Sequence, residues 1–192
     1  THSMLPLVTG KIHVLPDDVS CRIAAGEVVE RPASVVKELI DNSLDAASSL
    51  ISIEVEEGGR GLIRVTDNGM GMNREDAQLA AQRFATSKLQ VEEDLFTLTT
   101  LGFRGEALPS IASVSRFSLK TIQSDSLVGT EIYSEGGVAW GVQEYAGAPG
   151  TQVEVRDLFF NTPGRLKFLK TVPTEFSKIS YTVQQAATIN PQ

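Results

Sequence analysis

The pattern of apolar and polar positions in the first third of the chain predicts a helix followed by a β-hairpin. A helix over residues 32–47 would align one apolar stripe, formed by Val35, Val36, Leu39, Ile40 and Leu44. Pro32 suits the first turn of that helix, because an amide proton would have no partner there. Residues 51–57 alternate between apolar and polar side chains, glycines follow at 58, 59 and 61, and residues 62–66 are the predicted return strand.

The rest of the chain is predicted to add helices and more hairpins. Helices are expected at residues 74–84, 107–113 and 174–189, and strands at 116–122, 128–135, 138–145 and 151–157. Because hairpins dominate the connections, we predict the α+β class, a two-layer sandwich with helices on one face of a mainly antiparallel sheet. Residues 85–106 have no clean period, and such a long irregular segment is usually functional or mobile. Residues 1–20 are interpreted as an N-terminal arm and residues 21–192 as one domain.

Composition narrows the classes of function without choosing one. The 192 residues are 41% hydrophobic, which supplies a core, and the net charge of −7 argues against coating nucleic acid by bulk charge. A small basic cluster at Arg165, Lys167 and Lys170 leaves two readings open, a DNA contact or, more commonly, a solvated loop or helix start. The single Cys21 excludes an internal disulfide and fits a reducing intracellular compartment. No apolar run reaches membrane-spanning length, so no membrane contact is predicted.

Glu38 and Asn42 are the first candidates for chemistry. They stand four residues apart on the predicted helix and therefore share a face. An amide oxygen is a hard ligand suited to Mg²⁺, and a carboxylate can take a proton from a water molecule aimed at a phosphate. From these two residues alone, a solvated polar helix face is the more common explanation.

The other candidates are loops and a strand start. Asp67 follows a predicted strand and precedes Gly69 and Gly71, so its carboxylate could accept a hydrogen bond from an exocyclic amine; an ordinary turn explains it equally well. A later segment offers hydroxyl, amine and backbone N–H donors to phosphate, and a flexible loop is its alternative. That segment contains Thr86, Ser87 and Lys88, then Gly102, Phe103, Arg104, Gly105, Glu106, Ala107 and Leu108. Thr151, after Gly150, is by itself only the start of a strand.

Taken in order, these signals resemble a known ATP-binding pattern. Helical E-x-x-x-N, then D-x-G-x-G, then G-F-R-G-E-A and finally G-T resemble the Bergerat fold of gyrase-type topoisomerases, a heat-shock chaperone, histidine kinases and MutL. Longer strings are similar to the MutL-type DNA mismatch repair family in particular. They lie at residues 23–39, 42–46, 85–88, 102–108 and 157–163, so the resemblance runs from about residue 12 to the end.

The resemblance implies a role for each matching residue. Glu38 is expected to be the general base that activates water against the γ-phosphate, and Asn42 to hold Mg²⁺. Asp67 is expected to receive the adenine amino group with support from Thr151, in a pocket shaped by Gly69 and Gly71. Residues 86–88 correspond to a lid near the ribose and phosphates, and residues 102–108 to the loop that wraps the phosphates.

The resemblance also implies a cycle and partners. Family members use ATP and Mg²⁺ slowly, as a switch that closes a lid and joins two N-terminal domains as a homodimer or a heterodimer within the family. They pass a signal from a mismatch-recognition protein to a downstream nuclease or helicase, and bind DNA weakly. The location implied is intracellular: cytoplasm or nucleoid in bacteria, nucleus in eukaryotes. Two alternatives are a nucleotide-binding switch with negligible hydrolysis and a histidine-kinase catalytic domain.

The chain departs from the family pattern in two places and in length. Phe84 stands where the family often has histidine, which is expected to alter packing under the lid rather than chemistry. Ala47 stands where the family commonly has glycine, which is expected to stiffen the turn after the first helix. Family members carry a second N-terminal subdomain and a C-terminal dimerisation domain. Neither fits in 192 residues, so we expect the chain to be part of a longer protein.

Overall fold

The computed structural model describes residues 29–81 and 107–190, and in this part the helices and strands alternate much as the pattern predicts. The helices are α1 Pro32–Asp45, α2 Arg74–Ala81, α3 Ala107–Ser113, α4 Pro163–Phe168 and α5 Val172–Ile189. The strands are β1 Ile51–Glu56, β2 Leu62–Asp67, β3 Arg116–Ile122, β4 Gly129–Glu135, β5 Val138–Tyr145 and β6 Gly150–Arg156. The predicted arm at residues 1–20 lies outside the described residues.

The strands form one antiparallel sheet whose order differs from their order in the chain. The order is β1-β2-β6-β3-β4-β5, so the last strand lies between the second and the third. In this register Thr151 of β6 pairs with Asp67 of β2 on one side and with Thr121 of β3 on the other. Strand β6 therefore brings together three chain segments that are far apart in sequence.

One face of the sheet packs against the helices and forms the core. The stripe of α1 predicted from the sequence is buried at Val35, Val36, Leu39 and Ile40. It belongs to the same cluster as inward side chains of the sheet such as Val65, Leu119, Ile132 and Val155. Burial of each such side chain contributes about 1.5–3 kcal/mol, so this layer supplies most of the stability. The predicted two-layer α+β sandwich is confirmed.

The turn after α1 has an unusual backbone at Ala47. The residue has φ +57°, in the left-handed region. The amide of Ala47 donates to the carbonyl of Leu44 at 3.1 Å, and that of Ser48 donates to the carbonyl of Ser43 at 3.3 Å. This is the paired bonding of a Schellman helix end, which normally has glycine at the left-handed position. Ala47 is thus the place where the departure from the family pattern has a structural effect.

The predicted element boundaries differ from the structure at a few ends. Helix α1 ends at Asp45 and not at residue 47, because the Schellman turn intervenes. Helix α5 begins at Val172, two residues earlier than predicted, since Pro173 is tolerated in a first turn. Helix α4 has no counterpart among the predicted elements, and residues 82–84 of the predicted second helix lie outside the described residues.

Candidate functional site

The sheet carries a polar row at one end of its core-facing side. Moving along the sheet, the row Val65–Val153–Leu119–Ile132 is apolar. The next row in the same orientation is Asp67–Thr151–Thr121–Thr130. Because successive residues of one face are two apart in a strand, these positions continue the core pattern but have polar side chains. This polar row is the floor of the candidate site.

Asp67 is the most constrained group of the polar row. Its side chain is buried, and three donors converge on it. The Ser43 hydroxyl donates to Oδ2 at 2.7 Å, while the amides of Gly69 and Thr151 donate to Oδ1 at 2.9 and 3.2 Å. A carboxylate has about four acceptor positions, so Oδ2 keeps capacity for one further donor. The carboxylate is therefore held in place and can still accept one further hydrogen bond.

Two threonines lie beside Asp67 in the polar row. The hydroxyl oxygens of Thr121 and Thr151 are 2.9 Å apart. The amide of Met72, in the loop after Asp67, donates to Thr121 Oγ1 at 2.9 Å. Thr121 is fully buried, whereas Thr151 is partly exposed. The hydroxyl of Thr151 is therefore the second polar group that this floor offers to a ligand.

The loop after Asp67 is fitted closely between α1 and β3, and two glycines allow this. A Cβ atom on Gly69 would lie 2.7 Å from the Cβ of Ala46. Gly71 has φ +68°, and a Cβ there would lie 2.1 Å from the carbonyl oxygen of Ile122. Both positions exclude larger residues for packing reasons. Their expected part in shaping an adenine pocket stays a prediction.

Asn68, between Asp67 and Gly69, anchors the loop and not a ligand. Its Oδ1 accepts hydrogen bonds from the amides of Ser49 and Leu50, both at 2.9 Å. Its Nδ2 donates to the hydroxyl of Ser49 at 2.8 Å. The side chain therefore connects the end of β2 to the segment that enters β1.

Glu38 and Asn42 lie on α1 as predicted, and both are half-buried. Asn42 directly precedes Ser43 on α1, and Ser43 donates to Asp67 of the floor. Helix α1 therefore contacts the floor next to Asn42. Magnesium usually keeps several waters and substrate oxygens and takes only one or two protein ligands. A single amide oxygen on Asn42 fits that mode of binding. Among the described residues no group of three or more His, Cys, Asp or Glu side chains could hold a metal by itself.

Much of the predicted phosphate site lies outside the described residues. This applies to Thr86, Ser87 and Lys88 and to Gly102, Phe103, Arg104, Gly105 and Glu106. Ala107 and Leu108 are described, and they begin α3 with buried side chains. A phosphate could therefore contact only the backbone groups of these two residues. That contact stays a prediction.

Sequence reasoning did not select Ser43, Thr121 or Thr130. Ser43 occurs within the matched string at residues 42–46, but its partner is known only once α1 is placed over β2. The signal for Thr121 and Thr130 was a polar residue at the inward position of a strand end, next to apolar residues of the same parity. That signal becomes readable when the register of β3, β4 and β6 is known.

Two other features lie away from this site. A groove of about 510 Å³ is lined by residues of the α1 start and α5, including Arg31, Ala33 and Tyr181, and by none of the predicted site residues. The basic cluster is partly structural, because Arg165 of α4 donates to the carbonyl of Val29 at 2.9 Å. No helix in the described ranges is long and apolar enough to cross a membrane.

A comparison with protein families agrees with this fold and floor. Residues 30–134 match the model of the histidine kinase-, DNA gyrase B- and HSP90-like ATPases. The match covers more than half of the chain and includes α1, the hairpin and Asp67. The chain belongs to this family of ATPases.

Within that family the similarity is to MutL. The chain is 57% identical over 182 residues to the DNA mismatch repair protein MutL of Geobacter sulfurreducens, covering 95% of this chain and 30% of that protein. Identity to MutL of Akkermansia muciniphila is 54% over 181 residues, covering 94% of this chain and 29% of that protein. The chain thus spans less than a third of the length of these relatives, and the predicted resemblance to the MutL ATPase domain is confirmed.

Solved structures give the same result. The ATPase domain of Aquifex aeolicus MutL complexed with ADP matches with a TM-score of 0.66 and 38% identity, covering 85% of this chain and 57% of that one. The N-terminal domain of a DNA repair protein matches with a TM-score of 0.73 and 31% identity, covering 88% of this chain and 49% of that one.

Proposed function

We propose that this chain is the nucleotide-binding part of a MutL-type mismatch repair ATPase that binds ATP and hydrolyses it slowly with Mg²⁺. The observation that carries the proposal is the Asp67 carboxylate, buried and held by three donors, with the Thr151 hydroxyl beside it. Adenine presents an amine next to a ring nitrogen, which complements one acceptor beside one hydroxyl. The Aquifex aeolicus MutL domain with the same fold was solved with ADP, which supports an adenine nucleotide as the ligand.

The residues of α1 are assigned to the phosphate end of the nucleotide. Glu38 would accept a proton from the attacking water, and the amide oxygen of Asn42 would coordinate Mg²⁺. The metal, when bound, neutralises charge on the phosphates. Most of the rate enhancement in phosphoryl transfer comes from positioning and electrostatic stabilisation. Helix α1 therefore needs only to keep these two side chains at a fixed distance from each other.

The coupling of ATP to a larger cycle is also part of the proposal. Residues 85–106 are assigned to a lid and residues 5–20 to a dimer contact, and both segments lie outside the described residues. Each ordered residue costs roughly 1–2 kcal/mol of backbone entropy, so lid closure needs nucleotide and dimer contacts to offset it. Such an enzyme turns over slowly and serves as a switch between mismatch recognition and strand processing, with a weak contact to DNA.

Calorimetric titration with a non-hydrolysable ATP analogue and Mg²⁺ tests the proposal. We expect saturable binding by the chain and at least a 30-fold loss of affinity in Asp67→Asn, because an amide in place of the carboxylate disrupts a charged hydrogen bond worth about 2 kcal/mol or more. Asp125→Asn is the matched control, since Asp125 is an exposed carboxylate outside the site. Binding that Asp67→Asn retains in full would contradict the assignment of Asp67, and no binding by the chain would contradict the proposed site as a whole.

A second pair of measurements separates hydrolysis from the two alternatives. Glu38→Ala should keep analogue binding and lose ATP turnover if Glu38 is the base. Equal turnover in both proteins would favour a nucleotide switch in which Glu38 has no catalytic part. Incubation of the chain with γ-labelled ATP should leave the protein unlabelled. Transfer of the label to a protein histidine would favour the kinase alternative.

A further inference from the structure

The Thr121 hydroxyl is buried and has two polar neighbours. It accepts a hydrogen bond from the Met72 amide at 2.9 Å, and it lies 2.9 Å from Thr151 Oγ1. The side chain has no accessible surface. The described ranges, residues 29–81 and 107–190, show no other hydrogen bond of this hydroxyl.

These contacts leave one satisfactory direction for the bond between the two threonines. A hydroxyl has one proton to donate, and the amide of Met72 can only donate to Thr121. If Thr151 donated to Thr121, the Thr121 proton would be buried with no acceptor among residues 29–81 and 107–190, which is costly. If Thr121 donates to Thr151, every group of Thr121 is satisfied. The proton of the Thr151 hydroxyl is then directed away from Thr121 and is available to another acceptor.

We infer that Thr121 is a positioning residue for base recognition, because it fixes Thr151 as a hydrogen-bond donor beside the acceptor Asp67. The floor then presents an acceptor and a donor side by side. This pair fits a base with an exocyclic amine next to an unprotonated ring nitrogen, as in adenine, directly or through one bridging water. Guanine has a carbonyl and an N–H at these places, so both contacts would be repulsive.

The inference rests on the proposed function and adds a specific claim to it. Thr121 acts without touching the base, through its effect on the rotation of the Thr151 hydroxyl. A merely structural threonine would change the affinity for every nucleotide by the same factor. Replacement of a positioning residue changes how strongly the affinity depends on one atom of the base, the N1 nitrogen.

The test compares three nucleotides on three proteins by calorimetry with Mg²⁺. The nucleotides are ATP, its 1-deaza analogue, which lacks the N1 nitrogen, and purine riboside triphosphate, which lacks only the amine. The proteins are the wild type, Thr121→Val and Thr121→Ser. With the Thr151 proton fixed, loss of N1 should weaken binding to the wild type by about 10-fold, because the Thr151 donor, once covered by the bound base, loses its acceptor. In Thr121→Val the Thr151 hydroxyl can rotate to another partner, so this ratio should fall to about threefold or less, and Thr121→Ser should restore it.

Purine riboside triphosphate is the matched ligand control. Its loss of affinity relative to ATP reports on Asp67 and should be the same in all three proteins. An equal 1-deaza ratio in the wild type and Thr121→Val overturns the inference and leaves the proposed function standing, whereas absence of ATP binding by the wild type overturns the proposed function itself. If Thr121→Val does not fold, Thr121→Cys has a weak donor of similar size and should show the same reduced ratio.

Discussion

Ala47 shows how one methyl group can matter at the residue scale. The left-handed backbone costs a residue with a Cβ atom roughly 1–2 kcal/mol relative to right-handed regions, and glycine avoids most of that cost. Ala47 has φ +57° and is exposed, so no packing contact compensates for it. The strain lies at the end of α1, the helix that provides Glu38, Asn42 and Ser43.

Replacing Ala47 with glycine should therefore stabilise the chain. We expect Ala47→Gly to raise the free energy of unfolding by about 0.5–1 kcal/mol, the relieved strain less the entropy that glycine adds to the unfolded state. Urea denaturation followed by circular dichroism measures it. Ala187→Gly is the control, because Ala187 is an exposed residue with helical backbone in the last turn of α5, where glycine should destabilise by up to about 1 kcal/mol. Destabilisation by both substitutions would show that Ala47 is not strained.

Single residues of the site could be predicted from the sequence to different extents. Asp67 and Asn42 could be selected as candidates, because they stand in short patterns whose residue types are tied to a chemistry, and their roles stay predictions. Thr121 was not, because its role depends on the amide of Met72 and the hydroxyl of Thr151, 49 and 30 residues away. A partner at such a distance is set by strand register, and one sequence does not contain register explicitly.

At the scale of elements, a buried ion pair joins α5 to the residue before α1. The side chain of Glu175 is fully buried, and its Oε1 accepts a hydrogen bond from the Lys170 amide at 2.9 Å. Arg31 Nη1 lies 3.6 Å from the same oxygen. The second oxygen, Oε2, has no hydrogen-bond partner among the described residues. The pair therefore holds the two helices in a fixed relation while it leaves part of a charge unsatisfied.

Removal of the Glu175 carboxylate should loosen that connection. We expect Glu175→Ala to reduce the free energy of unfolding by about 2–4 kcal/mol, because the Lys170 amide loses its acceptor and the buried Nη1 of Arg31 loses the opposite charge beside it. Glu30→Ala is the matched control: Glu30 is exposed and 4.0 Å from the same arginine, and should cost less than about 0.5 kcal/mol. Equal losses from the two substitutions, measured in urea, would mean that burial of Glu175 does not strengthen the pair.

The elements themselves were largely predictable, with α4 as the instructive exception. Alternation of side chains fixed β1, β2 and β3, and the apolar stripe fixed α1. Helix α4 has six residues and none of them is buried, so it lacks the apolar stripe that reveals a helix in a sequence. It is held by contacts from outside, among them the hydrogen bond from Arg165 to Val29, which no local pattern can show.

At the scale of the whole molecule, the sheet face opposite the helices is held by charges. Arg64 on β2 donates to Glu154 on β6 at 2.8 Å and also pairs with Glu54 on β1. Partial burial acts to raise the pKa of Glu154, but the hydrogen bond and charge of Arg64, with help from Arg156, outweigh it and lower the pKa below its ordinary value of 4.5. Three strands are therefore linked by ion pairs of Arg64, and one of its partners, Glu154, has a pKa lowered by this pairing.

This linkage gives the sign of a pH dependence. Because the pKa of Glu154 is lowered in the folded state, its contribution is complete above about pH 4.5 and is lost as the pH falls through the folded-state pKa. We expect Glu154→Gln to cost about 0.5–1 kcal/mol at pH 7, since solvent screens such pairs, and nothing at pH values below that pKa. Denaturant curves from pH 7 to pH 3 measure it, and in an Arg64→Met background the same substitution should have little effect. A cost that does not change with pH would contradict the linkage.

The arrangement of the whole molecule was the least accessible to prediction. The class was correct because hairpins imply an antiparallel sheet, but insertion of β6 between β2 and β3 joins residues about 84 apart and follows from no local pattern. That insertion creates the polar row, so the floor of the site is a product of topology. The predicted phosphate end of the site involves residues 86–88 and 102–106, which lie outside the described part.

The loop amides at the floor also have a spectroscopic consequence. The N–H of Gly69 is bonded to the carboxylate of Asp67, and the N–H of Met72 to the hydroxyl of Thr121. Each proton therefore reports the state of one half of the proposed base-recognition pair, the first through a charged acceptor and the second through a neutral one. In a nuclear magnetic resonance spectrum these two amides are internal probes, able to show separately when the acceptor side and the donor side of the floor engage a ligand.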